Sequence, residues 1–229
     1  MTRNTILFDI NETVLNLDLL KPKFAQAFGD DSVSSLWFAT LLHSSTVAAV
    51  TGLKTGFAAL AADILDIVAA RKGVTLCADD RDSILATFAS LPAHEDIKSA
   101  LTHLRENGYR TIAFSNSSLA LINKQIQNAG LIDYFDEVVS VEETGSFKPD
   151  PKVYQFVADH LGQPISALRL VATHDWDTHG AMSAGMLAAY IDRSGAPYHP
   201  QYLKPVIDAT NMNDVVEQII SEDSDRRQR

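Results

Sequence analysis

Phe8-Asp9-Ile10-Asn11-Glu12-Thr13 follows the apolar run Thr5-Ile6-Leu7-Phe8 and precedes Val14-Leu15. A short apolar run closed by a carboxylate reads as a buried strand entering a polar loop. In open α/β sheets, chemistry gathers in the crevice outside the carboxyl ends of the strands. Asp9 is therefore a candidate functional group; the alternative is an aspartate that only caps a turn. A short motif does not decide between the two, so the surrounding chain has to.

Downstream, no β-rich run interrupts residues 17–90. Leu17, Leu20, Phe24 and Phe28 recur at spacings of three or four, as on one face of a helix. Residues 34–50, 57–71 and 79–90 predict three further helices, with Gly73 just beyond the second of these. Residues 15–90 are expected to form an all-helical subdomain inserted after the first strand, and residues 1–14 with 91–229 to form the main domain. From Leu91-Pro92 onward the pattern alternates. Helices are expected over 94–107, 119–129, 151–161, 178–184 and 212–220, and strands over 109–114, 137–141, 168–172 and 187–191. Such alternation predicts a doubly wound parallel α/β sheet of Rossmann-like type. Residues 221–229 are charged with mixed signs and predict a frayed, solvated tail.

Bulk properties narrow the functions. The chain has 229 residues, 46% of them hydrophobic, enough for one large domain with an insertion. Its 29 acidic against 19 basic residues give a net charge of -10, which argues against nonspecific nucleic-acid binding. Cys77 is the single cysteine, so no intramolecular disulfide can form. No apolar stretch of signal-peptide type and no membrane span are expected, and the cytoplasm is the default compartment.

Each expected strand is followed by a polar cluster: Asp9 to Thr13, Ser115-Asn116-Ser117-Ser118, Phe147-Lys148-Pro149-Asp150-Pro151, and Thr173-His174-Asp175-Trp176-Asp177. Four clusters at four strand ends converge on one site. In order and spacing they resemble the four motifs of the haloacid dehalogenase superfamily, and the resemblance covers essentially the whole chain. Ser115-Asn116, Lys148-Pro149-Asp150 with Tyr154, and Trp176-Asp177 are similar to the L-2-haloacid dehalogenase branch, whose helical cap the inserted helices match.

The resemblance implies a metal-free and cofactor-free hydrolysis of short 2-halo acids. Asp9 would displace the halide and form an ester that water then cleaves, yielding a 2-hydroxy acid. Lys148 would keep Asp9 ionised, Asp177 would orient Lys148, and Thr13 and Ser115 would donate hydrogen bonds to carboxylates. Asp177 also reads as the N-cap of the helix beginning at Thr178. Backbone amides near Ile10 and Asn11, with Ser115 and Asn116, would hold the substrate carboxylate, and Tyr154 belongs to the binding set. The branch often forms dimers through its cap, so a homodimer is expected. Asn11 separates this reading from a magnesium-dependent phosphatase of the same superfamily, which carries a second aspartate there. Asp175 and Asp177 keep that alternative open, since carboxylate oxygens suit magnesium.

Three departures from the family stand out. The arginine that follows the cap tryptophan is Phe38, leaving Asn116, Trp37 and Phe38 to line the halide pocket by N–H donation and ring edges. Ala172 and His174 replace a serine and an asparagine of the fourth motif. Glu12 replaces the glycine before Thr13. The last two read as one change: Glu12 accepting from one imidazole nitrogen leaves the other as a base for the ester-cleaving water. The remaining histidines, His43, His94, His103, His160, His179 and His199, are expected to be solvent-facing or structural.

Overall fold

A computed structural model describes residues 4–228. Its centre is β1, Thr5–Phe8, every residue of which is buried. Apolar side chains on both faces of a strand require helices on both sides of the sheet, and the chain supplies them. Six parallel strands run in the order β3-β2-β1-β4-β5-β6, with β2 at Arg110–Ser115, β3 at Glu137–Ser140, β4 at Leu168–Ala172, β5 at Leu187–Ile191 and β6 at Ile207–Ala209. β1 pairs with β2 on one side and β4 on the other, so that Phe8 lies beside Ala113 and Val171. Strand order reverses at β1/β4, the position where such sheets open a crevice at their carboxyl ends.

Between β1 and the return to the sheet, four helices pack together: α1 (Leu20–Phe28), α2 (Val33–Thr51), α3 (Phe57–Lys72) and α4 (Ala78–Phe88). Trp37 fills their centre, against Phe24, Phe38 and Phe88. The chain leaves and re-enters the sheet domain through a short paired stalk, with Asn16 N–H donating to Pro92 O at 2.8 Å and His94 N–H to Val14 O at 3.0 Å. α5 (Ile97–Glu106), α6 (Leu119–Asn128), α7 (Pro151–Leu161), α8 (Asp175–Ser183) and α9 (Met212–Gln228) cover the sheet. Local chemistry sets the ends of α7: Asp150 caps it by accepting from Lys152 N–H, Pro151 stands in its first turn, and Gly162 ends it at φ 62°.

Four sequence expectations are corrected. β6 is only three residues long and carries no alternating pattern, so it was not foreseen. α8 begins at Asp175 rather than Thr178, with His174 at its N-cap; Asp177 lies inside the first turn and is not the cap. α2 is long and apolar enough by length and composition to cross a membrane, with mean hydropathy 1.3, contrary to expectation. Here it is a helix of the four-helix group, with Trp37, Phe38, Leu41 and Ser45 buried. Finally, residues 221–228 continue α9 rather than fray.

The reason for that continuation is Arg169 on β4, which is 3% exposed. Its guanidinium contacts Asp223 at 2.9 Å and Glu222 at 3.0 Å, and Asp223 also accepts from the Tyr109 hydroxyl and the Asn4 amide. A buried arginine needs carboxylates close by, and the charges that read as a solvated tail provide them. Arg169→Met strands Asp223 and should destabilise the fold by about 3 kcal/mol. Arg226→Met, which removes only an exposed pair one turn away, should change stability by less than about 0.5 kcal/mol. Urea unfolding of both variants checks the contrast.

Candidate active site

Asp9 lies one residue past β1 and is 6% exposed. Its N–H donates to Val171 O at 3.0 Å, which holds it at the β1/β4 crevice. Thr13 Oγ1 donates to Asp9 Oδ2 at 2.8 Å and accepts from Thr173 N–H at 3.0 Å, tying the two loops together. On the other carboxylate oxygen, Lys148 Nζ lies 3.2 Å from Asp9 Oδ1. The same ammonium donates to Phe114 O at 2.9 Å and to Asp177 Oδ2 at 2.9 Å, so three acceptors take its three donors. Tyr154 hydroxyl donates to Asp177 Oδ1 at 2.6 Å.

Electrostatics follow from this arrangement. Burial alone would raise the Asp9 carboxyl, but the Lys148 charge together with His174 and Thr13 outweighs it and holds Asp9 well below the usual carboxylate range. Burial would lower Lys148, yet Asp177 and Asp9 raise it. Asp177 is raised, first by burial, with Asp9 adding to the effect against the pull of Lys148. Asp9 is thus a desolvated, ionised carboxylate, which is what a carboxylate needs to act as a nucleophile.

The loop after β1 turns on Glu12, a non-glycine residue at φ 65°. That backbone aims its side chain at His174, whose Nε2 lies 2.8 Å from Glu12 Oε2. The other ring nitrogen, Nδ1, lies 3.2 Å from Asp9 Oδ2, an ion-pair distance without hydrogen-bond alignment. His174 therefore sits between two carboxylates. Trp176 stacks on its ring with centroids 5.1 Å apart, and Phe38 approaches to 6.3 Å. Burial would push the imidazole down, but contacts with Asp9 and Glu12 raise it to about 10. It is an imidazolium at neutral pH, whereas the sequence reading expects a neutral ring with one nitrogen free.

The remaining expected residues are distributed unevenly. Asn116 and Ser115 are buried at the end of β2; the Asn116 amide oxygen accepts Lys148 N–H at 2.9 Å, and Ser115 Oγ accepts Ser117 N–H at 3.2 Å. Asn11 donates to Ser117 Oγ at 3.3 Å and accepts from Gln125 at 3.1 Å. The Ile10 side chain belongs to the core, so only its backbone can face a ligand. Phe38 borders a cavity of about 140 Å³ shared with Glu12, Leu20 and Ser34. Trp37 does not fit its expected use: it is fully buried and its indole N–H donates to Ala61 O at 3.0 Å, leaving no donor for a halide. Asp175 accepts His199 N–H, and no group of three or more metal-ligating side chains forms among the described residues.

Arg193 and Asp96 were missed. The Arg193 guanidinium donates to Thr13 O at 3.2 Å and to both oxygens of Asp96, at 2.7 and 2.9 Å. His94, expected to be structural, holds the preceding carbonyl, with Nε2 at 2.9 Å from Glu12 O. The sequence signal for Arg193 is Asp192-Arg193-Ser194-Gly195, a polar cluster after the fifth strand like those after the other four.

The chain is similar to known proteins along most of its length. A family model described as haloacid dehalogenase-like hydrolase matches residues 4–171. The chain is 28% identical over 193 residues to (S)-2-haloacid dehalogenase 1 of Pseudomonas sp. (strain CBS-3), covering 83% of this chain and 85% of that protein. It is 26% identical over 214 residues to an (S)-2-haloacid dehalogenase of Pseudomonas sp. (strain YL), covering 93% and 92%. An L-2-haloacid dehalogenase structure from Xanthobacter autotrophicus with chloropropionic acid covalently bound shares the fold at a TM-score of 0.87 and 19% identity, covering 95% and 98%.

The raised imidazole makes a stability prediction. A group raised on folding from an ordinary value of about 6.5 stabilises fully below that pH and loses the contribution as pH climbs toward 10. Wild-type stability should therefore fall across pH 7–10 with a slope of up to about 1.4 kcal/mol per pH unit. His174→Asn should flatten that slope in urea unfolding at pH 7, 8 and 9. An unchanged slope would contradict the bridged arrangement.

Proposed function

Because this chain belongs to the haloacid dehalogenase-like hydrolase family, we propose that it hydrolyses short-chain L-2-haloalkanoic acids to D-2-hydroxy acids. The observation that carries the proposal is the ionised, buried Asp9 held by Lys148 at 3.2 Å. Its carboxylate attacks the carbon bearing the halogen from the back, inverts it, and forms an ester. Water then attacks the ester carbonyl, so the oxygen leaving with the product is the one Asp9 supplied. The names of the relatives support the same substrate class.

Lys148, held by Asp177, whose other oxygen accepts from Tyr154, keeps Asp9 charged without a metal or cofactor. Thr13 orients the carboxylate. The backbone amides of Ile10 and Asn11, the Ser115 hydroxyl and the Asn116 amide NH₂ receive the substrate carboxylate. Phe38 lines the pocket for the halogen-bearing end, with ring edges in place of the missing arginine. The Glu12–His174 pair serves the ester-cleaving water. Leu36, Val47 and Val50 are exposed on one side of α2, with Thr40 and His43 between them, and two copies of this face pair in a homodimer. Sedimentation of the wild type against Val50→Glu tests that part alone.

The decisive measurement is halide release from L- and D-2-chloropropionate and chloroacetate, with and without chelator. The expected result is chelator-independent release from the L-enantiomer and from chloroacetate, giving D-lactate and glycolate. In a single turnover in heavy-oxygen water the product should carry no label, and Asp9→Ala should abolish turnover. Label in the first product would mean that water attacks carbon directly. Activity that requires magnesium and extends to phosphate esters would replace this reading with the phosphatase one.

A further inference from the structure

We infer that His174 stays protonated while Asp9 is a free carboxylate and becomes a base only once Asp9 has been esterified, so that the first half-reaction arms the second. The inference rests on the dehalogenase reading above and deepens it.

The geometry carries the argument. A histidine reserved for water activation would have one nitrogen on its orienting carboxylate and the other facing water. Here Nδ1 faces the nucleophile itself at 3.2 Å, while Nε2 faces Glu12 at 2.8 Å. Two anions flank one ring, and a neutral imidazole can donate to only one of them. With both carboxylates ionised, the favoured state has a proton on each nitrogen.

Other charges near the ring do not alter that sign. Lys148 is engaged by Asp9 and Asp177. Asp177 and Asp175 lie on the helix that begins after His174. Asp18, His94 and Arg193 line the same cavity as Glu12 and His174, about 240 Å³ in volume; Arg193 is paired with Asp96. The aromatic side chains beside the ring, stacked Trp176 and tilted Phe38, are uncharged.

Alkylation removes one of the two anions. Asp9 becomes a neutral ester, the halide departs with the bonding electrons, and Nδ1–H loses its ionic partner. Glu12 still holds Nε2–H. The Nδ1 proton then leaves to solvent through the cavity that Glu12 and His174 line, and it is the one proton that overall hydrolysis releases. The bared Nδ1 takes a proton from water as that water adds to Asp9 Cγ. Collapse of the tetrahedral carbon breaks the bond from Cγ to the substrate-bearing oxygen, and the hydroxyl proton left on Cγ passes to the departing alkoxide. Asp9 is again a carboxylate and His174 again an imidazolium, so charge and atoms balance over the cycle.

The arrangement solves an ordering problem. A neutral base beside a vacant nucleophile would do nothing for alkylation, whereas an imidazolium adds to the positive charge that keeps Asp9 ionised. The same residue serves the two steps in two protonation states, and the state of Asp9 selects between them.

The test has two arms. In the full-length protein with ¹³Cε1-labelled histidine, the His174 resonance is assigned by its loss in His174→Asn. It should not titrate between pH 5.5 and 9 in the wild type. In Asp9→Asn, which is neutral like the ester, its midpoint should drop by about two pH units, within the 1–3 units that a nearby opposite charge typically contributes. A wild-type midpoint near 6.5, or one that Asp9→Asn leaves in place, overturns the inference. The second arm uses wild-type enzyme and chloroacetate in rapid-quench experiments. The chloride burst should be flat over pH 6–9, while ester decay, followed by intact mass, should rise with pH through one ionisation. His174→Asn should retain the burst, slow ester decay by about 10²–10⁴-fold and remove its pH dependence. A burst that rises with pH in parallel with ester decay overturns the inference. Absence of any chloride burst at any pH would instead sink the dehalogenase reading, and the resonance arm would still report on the shared proton.

Discussion

One ammonium group holds the site together. Lys148 is 1% exposed and spends its three donors on Asp9, Asp177 and the Phe114 carbonyl. These groups lie just past β1, in the first turn of α8 after β4, and in β2, so a single point charge joins three neighbouring strands. Two carboxylates this close to one buried cation are affordable only because Tyr154 and Thr13 satisfy their other oxygens. The sheet order makes this meeting possible: β1 lies between β2, whose Phe114 carbonyl holds Lys148, and β4, whose following loop carries His174. A surface lysine could not replace it, since exposed pairs contribute little and are screened.

The parts legible in the sequence were those with a local chemical signature. Polar clusters after strand ends point to Asp9, Lys148, His174 and Asp177 from sequence alone, because parallel strands deliver their carboxyl ends to one edge. The joint presence of Glu12 and His174 marked their contact, since the loops follow neighbouring strands. What stayed hidden depended on partners distant in sequence. Nothing near Arg169 announces that Asp223 will meet it, so a helical C-terminus read as a loose tail. Trp37 looked like a ligand because it carries an N–H, and only packing reveals that Ala61 takes it. The charge on His174 was hidden for the same reason: contact with Glu12 is a neighbour-strand inference, whereas contact with Asp9 depends on the ring's tilt.

The helical group and the sheet domain meet around Glu12. The smaller cavity lies toward α1 and α2, bounded by Leu20, Ser34 and Phe38, and the larger lies toward the sheet, bounded by Thr173, His94 and Arg193. Both are lined largely by polar groups; the first adds Leu20 and Phe38 from the helices, and the second adds His94, Thr173 and Arg193 from the sheet side. Glu12 borders both. That position gives a physical meaning to the unusual residue: it stands between the helical side and the sheet side of the site while its carboxylate holds the His174 imidazole.

Glu12 also imposes an order on how such a site could be assembled. At φ 65° a glycine is unstrained, whereas a side chain there costs about 1–2 kcal/mol. A glutamate introduced before the histidine would bear that strain with no partner for its carboxylate. A histidine introduced first would already find Asp9 at 3.2 Å and gain from it. The lower-energy mutational path is therefore histidine at 174, then glutamate at 12. A lineage caught between the two steps should carry glycine with histidine rather than glutamate with asparagine.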